Sequence, residues 1–318
     1  MTETGPGPSS TVFPTVMAVT AGLLFGASVV ATRFVVQQSD PLTIATLRYL
    51  IGFGSMAPFY LMPRLQRKGI RQFAKGDLLP LTVLGVVFFG IIPFTFTLGL
   101  NYTYASRGGL VLAFGPLLTL LLATLLKVEA MTPAKLAGVV LAIVGALLAL
   151  AGTGALDGGL AGSRSMATLW LGDGIMLLTM VFFAIYNVFA HGYLRRYGAL
   201  PVILHCLLSG TVFLLLAYLA LRGAWPTADL TPAGWGALIF IAIPGGAMGF
   251  ALYIVALGRL SPARAAVFYN LNPVTAVALG AMFLGEPLTL SFWAGFILVV
   301  GGILSAQWDR FRPRGNES

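Results

Sequence analysis

The chain has 318 residues, 58% of them apolar and only 9% charged, with a mean hydropathy of +0.91; soluble domains carry about 45 to 50% apolar and about 25% charged residues. That balance excludes an ordinary soluble protein and points to a polytopic membrane protein of all-α class, because runs of about 20 apolar residues without period-two alternation can cross lipid only as helices. The net charge of +9 would suggest nucleic acid in a soluble domain, but here it must first be set against the topological bias of lysine and arginine.

In chain order, residues 1–12 are mostly polar, rich in Pro, Gly and Ser, and lack Lys and Arg; they are expected to form a disordered cytoplasmic N-terminus. The apolar run that follows exceeds the about 7 to 15 residues of a signal-peptide core, so the first span is expected to be retained. Polar and Gly/Pro punctuation then separates ten spans, at residues 13–36, 40–62, 78–100, 105–126, 133–152, 169–190, 200–221, 232–257, 262–284 and 290–308. Connections are short except for the basic loop 63–77 and the Gly-rich linker 153–168, and residues 309–318 form a basic cytoplasmic tail. The single cysteine, Cys206, lies inside an apolar run, so neither a disulfide framework nor a thiolate metal cluster is expected.

Numbering the polar segments alternately places most lysines and arginines on one side, among them Arg64, Arg67, Lys68, Arg71, Lys135 and Arg312, while the other side and the spans hold only Arg33, Arg48, Arg107, Arg164 and Arg222. By the positive-inside rule both termini are cytoplasmic, and the basic charge reports topology instead of a nucleic-acid partner.

The stretch 100–149 matches 257–306 at one constant offset of 157, pairing Arg107 with Arg264, Pro116 with Pro273, Glu129 with Glu286, Thr132 with Thr289, Gly138 with Gly295 and Gly145 with Gly302. About a dozen identities over roughly fifty gapless positions mark a duplication. Its unit holds five spans, and an odd number turns the second copy upside down. The expected molecule is two inverted five-helix repeats, 13–152 and 169–308, around a central cavity, an arrangement suited to alternating access.

Ala105-Ser106-Arg107 with Pro116 and Glu129, Leu260-Ser261-Pro262-Ala263-Arg264 with Pro273 and Gly285-Glu286-Pro287, and Arg48 after Asp40-Pro41 resemble the twin signature of the EamA family of the drug/metabolite transporter superfamily. The resemblance covers nearly the whole chain and implies a ten-helix bacterial inner-membrane carrier with a cavity between its halves, usually an exporter of amino acids or similar metabolites. The first copy departs from the pattern, with Lys127-Val128-Glu129-Ala130 where the second has Gly285-Glu286-Pro287.

Pro116 and Pro273 lie mid-span and each frees the carbonyl four residues earlier, on Leu112 and Tyr269, so both are candidate hinges, as is Pro244 in Pro244-Gly245-Gly246. Tyr269, Asn270 and Asn272 gather polar groups beside Pro273 and form the best pocket candidate; intramembrane Asn also serves as interhelical glue. Tyr186 and Asn187 align with Ser28 and Val29, so the first and sixth spans are expected to face each other across the axis. Phe96 and Tyr253, paired at the 157 offset, are candidate aromatic walls. Arg48 lies deep enough in its span to need a partner or water and could attract a carboxylate.

Asp40 and Asp173 are expected near outer helix ends within reach of water, and Glu129 and Glu286, at the C-terminal ends of their spans, to cap neighbouring helices or pair with basic groups. His205 and Ser209 share a helix face, but no orienting carboxylate accompanies them, and no H-E-x-x-H or Walker loop is present. The reading is a secondary transporter of small polar or amphipathic metabolites, working without cofactor or metal, with a small-molecule substrate and the lipid bilayer as partners and acting as a monomer. The alternatives are a membrane enzyme and a non-transporting accessory protein.

Overall fold

The computed structural model describes residues 8–60, 73–128, 130–154, 165–257, 271–286 and 288–306, and these residues are helical with no strand among them. The first half of the chain contains α1 (Pro8–Val35), α2 (Pro41–Tyr60), α3 (Lys75–Val86), α4 (Ile92–Tyr102), α5 (Ala105–Leu112), α6 (Gly115–Leu125) and α7 (Pro133–Gly154). The second half contains α8 (Met166–Tyr197), α9 (Ala199–Arg222), α10 (Pro232–Ala242), α11 (Gly249–Leu257), α12 (Leu271–Leu284) and α13 (Leu290–Ala306). A π-helical turn, Val87–Ile91, joins α3 to α4, and a second, Ile243–Met248, joins α10 to α11. Among the described residues, seven helical stretches are long and apolar enough to cross a membrane, and Leu271–Leu284 and Leu290–Gly302 are shorter apolar helices.

Two boundaries differ from the sequence reading. The first helix begins at Pro8, inside the stretch expected to be a disordered tail. The helix over the sixth span runs on to Tyr197, past the apolar run. Beyond residue 190 its Tyr193, Leu194 and Tyr197 still pack on Leu81, Val202 and Cys206, while Arg195 and Arg196 occupy the last turn, where cations suit the helix dipole. Packing, not continuous apolarity, sets that end.

The helix starts follow from local chemistry. The Asp40 carboxylate accepts the Leu42 and Thr43 amides at 3.1 Å ahead of α2, Ser165 caps α8 and Thr231 caps α10. Thr132 accepts the Lys135 amide at 3.4 Å and Thr289 the Phe292 amide at 2.9 Å, so these two caps stand at the 157 offset. The two π-turns, at 87–91 and 243–248, overlap at the same offset.

α7 and α13 pack antiparallel through glycine. A β-carbon on Gly145 would stand 2.6 Å from the Gly295 carbonyl oxygen, and one on Gly302 would stand 2.5 Å from that of Gly138. Only hydrogen at these positions lets the two backbones approach so closely. Because the offset converts 138 to 295 and 145 to 302, the pair 145/295 becomes 302/138, and each contact is the exchange of the other. The remaining packing follows suit: α1 lies on α12 as α8 lies on α6, and α1 on α11 as α8 on α4. The largest apolar cluster, including Leu100, Leu110, Met176, Val277 and Phe292, draws on both halves.

Candidate functional site

The π-turn between α3 and α4 places Phe88 at the centre of a run of rings joining the halves. Its ring stacks on Tyr186 with centroids 4.0 Å apart, and lies 6.0 Å from Phe183 and 6.4 Å from Phe250. Phe25 of α1 meets Phe250 at 5.6 Å and Tyr253 at 6.4 Å. Four helical layers, from α1, the α3–α4 unit, α8 and α11, therefore converge on one aromatic surface. π-Turns displace side chains from the regular helical register and recur at functional sites.

Phe89 continues the run to Tyr49 at 6.0 Å, and the Arg48 guanidinium lies 5.7 Å from the Tyr49 ring centroid. Arg48 is half-buried, and no carboxylate among the described residues pairs with it. A cation at this depth favours an anion brought in from outside or water.

Tyr186 and Tyr253 thus join one ring surface. Tyr186 and Ser28 each meet the other half's π-turn: Tyr186 stacks on Phe88, and Ser28 Oγ fills the space where Gly245 would carry a β-carbon, while donating to the Leu24 carbonyl at 2.9 Å. Asn187 Nδ2 donates to the Phe183 carbonyl at 2.8 Å. Asn272 is buried, with its backbone carbonyl against Gly26 and its Oδ1 receiving no hydrogen bond from the described residues. Phe96 packs against the largest apolar cluster. Tyr269 and Asn270 lie outside the described residues.

Of the candidate hinges, Pro116 lies in the first turn of α6, just after the fourth span tightens at Ala113 and Phe114, whose amides bond carbonyls three residues back while the backbone stays right-handed helical. Pro244 lies in the second π-turn, and Pro273 lies in the first turn of the described part of its span. Phe25, Phe88, Phe183 and Phe250 were not singled out from the sequence. Pro93, two residues after the first π-turn, was the available signal, as Pro244 lies within the second.

A second polar centre corrects the reading of Asp173. Its side chain is not in water but 5% exposed, ion-paired with Arg107, which is wholly buried. Thr103 Oγ1 donates to Asp173 at 2.7 Å, and Arg107 also donates to the Leu150 carbonyl at 2.5 Å and lies under the Trp170 ring. The buried guanidinium demands a counter-charge, and Asp173 supplies it. Beside it, Glu286 accepts the Ala105 and Ser106 amides at 2.6 and 2.7 Å and so caps α5; Glu129 lies outside the described residues.

Ser209 Oγ donates to the His205 backbone carbonyl, and His205 Nε2 faces Thr82 at 3.0 Å, so the two side chains do not form a base–nucleophile contact. A groove of about 460 Å³ on α7 is lined by Pro133, Leu136, Ala137, Val140, Leu141 and Val144. It offers no polar side chain and is separate from the ring surface.

The profile of the EamA-like transporter family matches residues 13–151 and again 170–306. The chain is 25% identical over 297 residues to the uncharacterized transporter YyaM of Bacillus subtilis (strain 168), covering 92% of each chain. It is 28% identical over 238 residues to a probable terminal-alkyne amino-acid exporter of Streptantibioticus cattleyicolor, covering 74% of this chain and 75% of the relative. A crystal structure of a protein 20% identical in sequence superposes with a TM-score of 0.63 over 97% of this chain and 100% of the other, a likeness of fold.

Proposed function

The chain belongs to the EamA-like transporter family, and from that premise we propose that it is a ten-span secondary transporter exporting small polar or amphipathic metabolites of the amino-acid class. It works by alternating access between two inverted repeats, 13–152 and 169–308, in a bacterial inner membrane with both termini cytoplasmic. The observation that carries the mechanism is the exchanged glycine pair, 145 with 295 and 302 with 138. A two-fold relation between halves of opposite orientation lets them trade conformations and so open to the other side.

The family match in two copies and the offset of 157 shared by the π-turns and threonine caps support the same reading. The named amino-acid exporter among the relatives supports the substrate class. In this reading the ring surface from Phe25 to Tyr186 receives the substrate side chain, Arg48 receives its carboxylate, and Asn272 Oδ1 accepts a donor from substrate or water.

Counterflow in proteoliposomes loaded with single amino acids tests this. The expected result is exchange of at least one apolar amino acid, with loss of uptake in Arg48→Gln for the acid and little change for the corresponding amine lacking the carboxylate. Absence of exchange for every amino acid under every gradient would overturn it.

A further inference from the structure

We propose that the Glu286 carboxylate, seated on the first two amides of α5, is the latch that holds one end of the transporter closed and must release for that end to open. Alternating access is the premise on which this rests. Glu286 follows α12 in the second half, whereas Ala105 and Ser106 begin α5 in the first; the contact joins residues 180 or more positions apart with one hydrogen bond to each carboxylate oxygen. Gly285, at φ +62°, makes the turn that brings Glu286 back, a conformation that favours glycine. Gly280 makes the room, since a β-carbon there would stand 2.7 Å from Glu286 Oε2.

The latch has a fixed post and a movable arm. The post is α5, pinned from its other side by the Arg107–Asp173 pair and by the bond from Arg107 to the Leu150 carbonyl. The arm is the end of α12. Tyr104, the residue that precedes α5, provides no side-chain cap, so the two amides depend on Glu286. Glu286 is itself 7% exposed. Separating them in a dry interface would strand an anion and two donors, whereas separation with water entering would satisfy all three. Release and hydration are therefore one event, which makes this end either shut or open.

Apart from the buried Arg107–Asp173 and Thr103–Asp173 contacts that pin the post, the ties at this end are lighter. Gln37 donates to Asn101 at 3.3 Å, Gln38 accepts from the Thr231 amide at 3.1 Å, and Arg222 reaches Asp40 at 3.3 Å, and these contacts are largely exposed. Exposed contacts of this kind contribute little. Positive-inside orientation makes this the outer end of the molecule.

The test uses Val277→Cys as reporter in a Cys206→Ser background, since Val277 is 1% exposed in the cluster behind the latch. A membrane-impermeant maleimide is applied to each face of oriented vesicles in turn. Glu286→Gln turns one acceptor oxygen into a donor facing a donor. Ala105→Pro removes a single amide and suits the first helical position, because Tyr104 already has the extended φ −79°, ψ 156° that precedes proline; Pro262 stands at the equivalent place in the second copy.

Both variants should label faster from the Glu286 end by roughly tenfold or more, the scale of a lost charge-assisted hydrogen bond, with no gain from the opposite end. Unchanged labelling in well-folded variants, or equal gains from both ends, would overturn the latch. Should Glu286→Gln fail to fold, Ala105→Pro alone decides. The assay needs no substrate, so a failure of the amino-acid reading would appear in counterflow and leave this result standing.

Discussion

Phe88 and Tyr186 stack with ring centroids 4.0 Å apart, one residue from each half of the chain and 98 positions distant in sequence. The stack is the tightest ring contact on the surface shared by the halves, and it exists because a π-turn interrupts the helix at Phe88. Phe88→Leu keeps most of the volume and removes the ring. Aromatic pairs contribute about 0.5–1.5 kcal/mol beyond burial, so the variant should fold while its half-saturating substrate concentration rises several-fold. A thermal-shift titration reads this directly, because ligand bound to the folded state raises its melting temperature by mass action. An unchanged titration midpoint would remove the ring surface from the binding site.

The Arg107–Asp173 pair makes a stability prediction. Asp173→Asn leaves a guanidinium that is wholly buried without its counter-charge, and breaking a buried pair from one side costs about 3–5 kcal/mol. Replacing both residues, as Arg107→Met with Asp173→Leu, should recover most of that loss, since no charge then remains in the interior. Unfolding in detergent, followed for Arg107→Met, Asp173→Leu and the double, measures the coupling. Losses that simply add would show that the pair carries no interaction of its own.

Helix existence was legible from apolar runs because lipid leaves no other option, and the offset of 157 paired Thr132 with Thr289, whose capping role the structure adds. What the residues could not disclose were the pairings. Asp173 and Arg107 are 66 positions apart, and nothing in either neighbourhood marks the other; read alone, an aspartate near a helix end belongs in water. The ring surface was hidden for a different reason. In helices that are apolar on every side, Phe88 and Phe250, which face the other half, carry the same local signature as Phe189, which is 53% exposed. Tyr186 stood out through its alignment with Ser28, and Tyr253 through its pairing with Phe96 at the 157 offset.

The exchanged glycine contacts predict equal costs at two distant positions. A β-carbon on Gly145 or on Gly302 meets a backbone carbonyl oxygen at 2.6 or 2.5 Å, and backbone cannot rotate away as a side chain can. Overpacking of this kind costs about 1–3 kcal/mol. Gly145→Ala and Gly302→Ala should therefore lower the melting temperature by similar amounts. Gly301→Ala, where nothing lies within 4 Å of the added carbon, should not. A large cost at one glycine and none at the other would contradict the two-fold relation between α7 and α13.

Pro116 tests the fourth span. The helix tightens at Ala113 and Phe114, whose amides bond the Leu110 and Val111 carbonyls three residues back while the backbone stays right-handed helical, and α6 follows from Gly115 with Pro116 in its first turn. Proline cannot donate to the Leu112 carbonyl, and its ring crowds that oxygen, so a continuous helix through this point is disfavoured by about 3 kcal/mol. Pro116→Ala restores the donor and should extend α5 into α6. Two consequences separate a hinge from a packing feature. A hinge variant should still bind substrate in thermal shift, because the ring surface lies on other helices, but should cycle more slowly, because one access state is favoured by the straightened span. A bias of about 1.4 kcal/mol already changes the ratio of states tenfold. Maleimide labelling of Val277→Cys should then change from one face without a matching change from the other, and Pro273→Ala, its partner at the 157 offset, should shift labelling in the opposite sense. If both variants exchange substrate and label at wild-type rates, the prolines only shape the packing.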